Sequence, residues 1–168
     1  MQFIQMFEYK RWADLRMLDA VKDVDPQRQQ QPLAFMHRQL NHMVIVEELF
    51  RARLEGTTQP HTATYADIPP DLSELAQRME TSHTWFLDFI TRLQAEQAHD
   101  AIQFEFADGR SGRMHVEEIL FHIVNHGSYH RGTIAHALDL AGVSHPPDGY
   151  GIYIHAVDPA RRESEPAD

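Results

Sequence analysis

Three histidines spaced four residues apart, His122, His126 and His130, lie in the segment FHIVNHGSYHRG. A helix places residues four apart on one face, one turn above the other, and neutral imidazole is a common metal ligand. Paired histidines at this spacing bind zinc on the helices of HExxH metalloproteases. The alternative is that such histidines are core side chains bonded to a carbonyl or a carboxylate group. The choice depends on which of the three imidazoles face the interior.

The apolar stripe of this helix distinguishes the three histidines. The stripe is centred near Val116, and each residue turns the helix by about 100°. By this arithmetic His130 lies about 40° from the centre of the stripe, His126 about 80° and His122 about 120°. Gly127 lies almost at the centre, which leaves room there for a close helix or for a ligand. We therefore predict that His126 and His130 form the inward pair and that His122 points away.

A metal site needs a third ligand from another helix, and His42 is the best candidate. It lies in RQLNHMVIVEELFRARLEG, on the shoulder of the apolar stripe of that helix, where a site between two helices would form. His37 lies well outside the stripe, and His61 belongs to a loop. The chain has no cysteine, so disulfide bonds are excluded and any metal must bind histidine, carboxylate or water.

The composition limits the classes of function. The absence of cysteine fits a cytoplasmic protein. The formal net charge of −10 would repel a phosphate backbone, so we expect no nucleic-acid partner. No apolar run approaches the roughly 20 residues that span a bilayer, so we expect no membrane segment. The N-terminal segment also lacks the long apolar region of a signal peptide.

The spacing of apolar residues predicts an all-α domain with four long helices. These helices cover about residues 1–24, 32–55, 71–98 and 116–141. The polar crossover TTQPHTATYADIPP separates the two helix pairs, and the alternation in AIQFEF before Asp108-Gly109 predicts a small hairpin ahead of the fourth helix. Four helices of about 20 to 28 residues with one long link predict a four-helix bundle with a crossover. We assign residues 1–158 to this domain, with a partly extended segment after Gly142, and residues 159–168 to a disordered tail.

Three segments resemble the DinB-like family of bacterial metal-binding four-helix bundles. They are YKRWADLRML from Tyr9, LNHMVIVEELFRARLEG from Leu40 and ILFHIVNHGSYHRGTI from Ile119. The third segment is the most specific, because it ends in the His-Arg-Gly signature of the family. The resemblance covers roughly residues 3 to 153, which is nearly the whole chain. The chain departs from the family pattern at Phe50, which is often tryptophan, and at Thr133, which is often glutamine.

The resemblance implies one divalent metal ion bound by His42, His126 and His130, the set that the helical geometry also favours. Three neutral imidazoles leave one to three coordination positions for water or substrate, as in catalytic metal sites. A metal held in this way lowers the pKa of bound water or activates a thiol as thiolate. Three nitrogen ligands suit zinc and nickel, and iron, manganese and copper remain alternatives.

Two functions remain open at this point. The first is a metal-dependent enzyme that acts on a small molecule, by thiol-dependent transfer or isomerisation or by hydrolysis. The family is similar in fold to transferases and isomerases that use low-molecular-weight thiols, so such a thiol is an expected cofactor. The second is a non-catalytic metal-binding stress-response protein. A fourth protein ligand on the metal would favour this second function.

Two charged residues are candidates for supporting roles at the site. Glu47 lies on the inward side of the second helix and can accept a hydrogen bond from a ligand histidine. Arg131 lies about 60° from the centre of the fourth helix's stripe and can bind an anionic group of a substrate. A direct salt bridge between the two is the favoured alternative to both roles. The sequence identifies no catalytic residue.

A second stripe on the outer face of the fourth helix predicts a homodimer. It consists of Phe121, Asn125, Tyr129, Gly132 and His136. Two aromatic rings flanking a glycine often mark a contact between helices, although scattered exposed aromatics are common. A two-fold interface uses the same patch on both subunits, so one such stripe is sufficient.

Overall fold

The computed structural model describes residues 2–106 and 108–162. The elements, in chain order, are α1 (Gln2–Lys22), α2 (Gln30–Glu55), α3 (Leu72–Arg92), β1 (Ala101–Glu105), β2 (Ser111–His115), α4 (Val116–Leu140) and α5 (Tyr150–Val157), with short 3-10 turns at Glu96–His99 and Pro159–Arg161. The prediction of a helical bundle with a small hairpin before the fourth helix is confirmed. Within these residues, no helix combines the length and the hydropathy that a bilayer-spanning segment requires.

The ends of the helices follow from local chemistry. Asp71 caps α3, because its Oδ1 accepts a hydrogen bond of 2.9 Å from the backbone nitrogen of Glu74. Gly56 ends α2 with a φ of 66°, in the left-handed region where a glycine costs least. The third helix ends at Arg92 and not near residue 98 as predicted, since the backbone turns extended at Leu93 and a separate 3-10 turn follows. The apolar spacing continues across that break, so the sequence predicted a longer helix than the structure contains.

The helices pack with α1 and α2 on opposite corners of the bundle. Each of these two contacts both α3 and α4, and they barely contact each other. The long segment 57–70 connects α2 to α3, while the hairpin packs against α2 and the start of α4. The neighbours α2 and α4 run antiparallel, because Gln39 contacts His130 whereas the later residue Phe50 contacts the earlier His122.

The interior consists of two apolar halves separated by a layer of buried polar side chains. One half contains Met17, Leu40, Met79 and Ile134 among others, and the second contains Phe7, Phe50, Phe86 and Ile123 among others. Between them each helix contributes polar side chains to the layer. These are Lys10 and Asp14 from α1, Glu47 from α2, Ser82 and His83 from α3, and Arg131 from α4, all at most 4% exposed. We call this set the polar layer.

The segment after Gly142 contains a helix that the sequence did not predict. Instead of a partly extended chain, Tyr150–Val157 forms α5. Its Tyr153 packs against Tyr9 and Trp12 of α1, with ring centroids 5.9 and 5.6 Å away. A helix of eight residues has little local stability, so contacts with a distant part of the chain decide its conformation. Within the segment 159–168, Pro159–Arg161 form a 3-10 turn and residues 163–168 lie outside the described range, so the disordered tail stays a prediction.

Candidate metal centre

The three histidines selected from the sequence meet between α2 and α4. The ring centroid of His42 lies 4.9 Å from that of His126 and 4.6 Å from that of His130. The centroids of the two α4 imidazoles are 4.3 Å apart. One ring nitrogen from each residue can be chosen so that all three lie within 4.8 Å of one another. No further histidine or carboxylate joins this group in the part of the chain that the structure describes.

The spacing of the nitrogens fits a bound metal ion. The Nε2 atoms of His42 and His126 are 3.0 Å apart. Two nitrogens that each lie about 2.0–2.1 Å from one zinc ion, at an angle between roughly 90° and 110°, are about 2.8–3.4 Å apart. The observed separation falls in this range. A hydrogen bond between the two rings would give a similar distance, and it requires His126 to donate its proton to His42.

Hydrogen bonds on the far side of two rings set their tautomers. Nδ1 of His42 lies 2.8 Å from the carbonyl oxygen of Thr64, and Nδ1 of His130 lies 2.6 Å from Oε1 of Gln39. Since these oxygens only accept, each Nδ1 carries the hydrogen and donates it. Each Nε2 then keeps its lone pair, and that of His42 faces Nε2 of His126. This is the arrangement in which an outer acceptor orients a metal-binding histidine.

The electrostatics of the cluster favour the neutral form of the imidazoles. Burial, reinforced by the neighbouring rings of His130 and His42, lowers the pKa of His126 to about 3. Burial and the proximity of His42 lower the pKa of His130 to about 4. Burial also lowers the pKa of His42. All three rings are therefore in the ligating form at neutral pH, as metal binding requires.

The fourth histidine of the region stands beside the cluster and outside it. The ring of His122 packs against those of His126 and Phe50, with centroids 5.3 and 5.2 Å away. It is not one of the three residues whose nitrogens converge. This agrees with its larger angle from the apolar stripe of α4.

The segment between α2 and α3 covers one side of the cluster. Tyr65 stacks on His42 with centroids 4.1 Å apart and planes only 5° from parallel. Its neighbour Thr64 supplies the carbonyl that binds Nδ1 of the same imidazole. The sequence did not indicate these two residues, because no spacing rule relates a loop to a helix more than 20 residues earlier. Gln39 was also missed, although it lies one helical turn before His42 and thus near the same face.

The structure gives Glu47 and Arg131 contacts that differ from those predicted. Glu47 does not orient His42 or His130, whose Nδ1 atoms bind other acceptors, and it does not contact Arg131. Its carboxylate instead accepts hydrogen bonds from Lys10, at 2.5 Å, and from the hydroxyl of Ser82. A helical stripe shows which residues face inward, but it does not show which inward residues of four helices meet.

Arg131 is fully buried, and its positive charge is balanced by two carboxylates. Its NH1 donates to Asp14 at 2.7 Å, and its Nε donates to Asp148 at 2.7 Å. A third contact joins NH2 to the hydroxyl of Tyr9 at 3.1 Å. With two carboxylates on one guanidinium and no exposed surface, Arg131 joins α4 to α1 and to the segment that precedes α5.

The room at Gly127 is used by the polar layer. A Cβ atom at this position would lie 3.0 Å from NH1 of Arg131 and 3.3 Å from Cε of Lys10. The glycine therefore lets the long Lys10 side chain of α1 cross close to the backbone of α4. Of the two uses predicted for this space, the structure shows the close helix.

The fold and the site together define a four-helix bundle with a three-histidine cluster between two neighbouring helices. The sequence profile of the DinB family matches residues 1–164, so the chain belongs to this family. It is 26% identical over 159 residues to Protein DinB of Bacillus subtilis (strain 168), with 89% of this chain and 92% of that relative aligned. Its fold is similar to the crystal structure of a DinB-like protein from Bacillus cereus ATCC 10987, with a TM-score of 0.66 and 18% identity, covering 88% of this chain and 95% of the other.

Proposed function

We propose that the protein is a metal-dependent enzyme that holds one divalent ion with His42, His126 and His130 and acts on a small molecule. The reaction is thiol-dependent transfer or isomerisation, or hydrolysis. The observation that supports this proposal best is the convergence of three neutral imidazoles, each from a helix, with no fourth histidine or carboxylate among the described residues. Three protein ligands leave coordination positions open for water or substrate. A site capped by a fourth protein ligand would instead have favoured a structural or storage role.

The side chains around the cluster support the same function. The carbonyl of Thr64 and the amide oxygen of Gln39 fix the orientation of His42 and His130, so the lone pairs are directed inward without reorganisation. Tyr65 shields one face of His42 from water. When bound, a zinc or nickel ion would act as a Lewis acid toward water or a low-molecular-weight thiol. The donor set of three nitrogens suits these two metals, with iron, manganese and copper as alternatives.

The metal content of single variants tests the ligand set. The protein is purified without nickel resin, and its metals are measured by elemental analysis. We expect about one ion per chain in the parent protein and little or none in His42→Ala, His126→Ala or His130→Ala. His122→Ala is the matched control, because this histidine lies on the same helix and contacts the cluster without joining it. Full stoichiometry in His126→Ala or His130→Ala would show that the assignment is wrong.

A reaction screen separates the enzyme from a non-catalytic metal-binding protein. The metal-loaded protein is assayed with low-molecular-weight thiols and electrophilic acceptors, and separately with ester and amide substrates. Turnover that disappears in His130→Ala supports the enzyme. A stoichiometric ion without turnover in either series would support the alternative, a metal-binding stress-response protein.

We also propose that the protein is a homodimer that uses the outer face of α4. On this face Phe121 is 59% exposed and Tyr129 is 69% exposed. The apolar surface continues past Gly132 to Leu140 and to Phe35 of α2, which together line a shallow groove. Burying such a patch against its two-fold copy would remove these rings from water.

A further inference from the structure

Arg53 and Arg16 are half-buried arginines that have no carboxylate partner in the described residues, and of these two only Arg53 has a buried donor without a hydrogen bond. Its NH2 donates to two neutral acceptors, Oε1 of Gln59 at 3.0 Å and the backbone oxygen of Glu105 at 3.2 Å. Its Nε is buried and has no hydrogen-bond partner in the described residues. By contrast, Arg78 and Arg131 each bind carboxylates within 2.7 Å.

Aromatic rings hold this guanidinium in place. Its Cζ lies 4.8 Å from the ring centroid of Phe50, 4.3 Å from that of Phe104 and 5.9 Å from that of Phe106. Stacking on aromatic faces leaves the in-plane N–H donors of an arginine available at its edge. Burial lowers the pKa of Arg53, so its charged form lacks the compensation that an anion would supply.

Arg53 lies on the same side of α2 as His42. The two are eleven residues apart, which is about 20° from complete turns and corresponds to a rise of about 16 Å. The guanidinium also lies over the ring of Phe50, which is one turn nearer to the histidines along α2. A row of rings joins the two places, since Phe50 packs against His122 and His122 packs against His126.

We propose that Arg53 binds the carboxylate at one end of a substrate whose other end reaches the three-histidine cluster. The middle of such a ligand would run past the ring of His122. A planar carboxylate matches the donor fork of arginine and supplies the missing negative charge. The substrate class is therefore a small carboxylic acid with a metal-binding or reactive group at the opposite end. This inference rests on the proposed metal site.

Arg53 also ties the segment after α2 to the hairpin, through Gln59 and Glu105, and a purely structural role has to be distinguished from recognition. A structural tie predicts that changing Arg53 alters stability while charged and uncharged ligands bind equally. Recognition predicts that the change removes a preference for the charged ligand. Paired ligands that differ only in their terminal group separate the two roles.

The test uses the cobalt-loaded full chain titrated with mercaptohexanoate and with mercaptohexanol, followed by the cobalt–thiolate absorption band. We expect the acid to bind about tenfold more tightly than the alcohol, because one charge-assisted pair forms. In Arg53→Met the preference should disappear while the affinity for the alcohol is unchanged. Arg51→Met is the control, since Arg51 lies two residues away and pairs with Glu55. If Arg53→Met does not fold, Arg53→Lys should show a reduced preference.

The possible failures are distinguishable. Equal affinity for the acid and the alcohol in the parent protein, or an unchanged preference in Arg53→Met or Arg53→Lys, overturns the carboxylate site and leaves the metal site intact. If cobalt binds but neither ligand produces a thiolate band, the placement of the ligand between Arg53 and the three-histidine cluster is overturned. Absence of cobalt binding overturns the proposed function and this inference with it.

Discussion

Replacing the central carboxylate of the polar layer, Asp14→Asn, should destabilise the protein strongly while leaving the metal site intact. Asp14 is completely buried and contacts Nζ of Lys10 at 2.5 Å, NH1 of Arg131 at 2.7 Å and Nε2 of His83 at 2.9 Å. Asparagine keeps the volume, but it removes the charge and directs an amide N–H₂ at a donor. The substitution therefore isolates the electrostatic contribution of the layer.

The magnitude follows from the partners that remain. Removing one member of a buried ion pair typically costs about 3–5 kcal/mol, because the other charge stays buried without compensation. Here Lys10 retains Glu47 and Arg131 retains Asp148, so we expect the lower end, about 3 kcal/mol. For a chain of this length each kcal/mol lowers the Tm by about 2–4 °C, which gives a decrease of about 6–12 °C.

Urea unfolding followed by far-ultraviolet circular dichroism measures this loss. Asp19→Asn is the matched control on the same helix. Asp19 is 72% exposed, and its partner on that helix is Lys22. We expect it to change the free energy of unfolding by less than about 0.5 kcal/mol. A loss below about 1 kcal/mol in Asp14→Asn would refute the argument, and so would a loss of bound metal at neutral pH in a folded variant.

The pH dependence supplies a second check on the same variant. Burial opposes ionisation of Asp14, but the charges of Lys10 and Arg131 outweigh it and hold the pKa of this carboxyl far below its usual range. A lowered folded-state pKa stabilises the protein above the unfolded value, near 3.9, and the contribution is lost as the pH falls below it. The difference between parent and variant should therefore be constant from about pH 5 to 8.

Three further predictions concern the metal site and the outer face of α4. The pKa values of His126 and His130 lie at about 3 and about 4, so both imidazoles stay neutral between about pH 7.5 and 5.5. In a competition titration, zinc affinity should therefore fall no more than about tenfold over this range. Three ordinary imidazoles would lose about a thousandfold. Tyr65→Ala should weaken zinc binding by about tenfold, because it removes the stack on His42, whereas Tyr65→Phe should not weaken it. Equal zinc affinities of the two variants would exclude the stack as an orienting contact. Sedimentation at micromolar concentration should show a dimer that Tyr129→Glu or Gly132→Glu dissociates. A monomeric parent protein would contradict the dimer, and dimers in both variants would contradict the face.

The sequence was sufficient to locate the imidazoles because they belong to helices. The period of a helix is known, so the angle of His126 and His130 from the apolar stripe follows from residue numbers alone. His42 could be placed on the shoulder of its stripe in the same way, and the resemblance to the DinB-like family implied the same residue. The crossing of α2 and α4 then brings all three together.

The rest depended on contacts between elements, for which residue spacing carries no rule. Lys10 and Asp14 were not recognised as core residues, because charged residues in a helix are usually solvated. Their burial is explained only when Glu47 and Arg131 from two other helices are present beside them. Asp148 and α5 were missed for the same reason. Asp148 contacts Tyr9 of α1 and Arg131 of α4, and α5 packs on α1, which lies more than 100 residues earlier in the sequence.

The polar layer has a consequence for how the helices align during folding. A shift of α1 by one turn, about 5.4 Å, would remain possible for interchangeable apolar side chains, but it would separate Lys10 from Glu47 and Asp14 from Arg131, and leave the buried carboxylate of Glu47 without its cation. Bundles with a shifted helix are thus destabilised at the level of the polar layer. This level includes the turn of α4 that carries His130 next to Arg131. We therefore expect the imidazoles to reach their positions when the chain folds, with or without the proposed ion. Metal removal should then leave the bundle folded, in contrast to zinc fingers, which are unfolded without their ion.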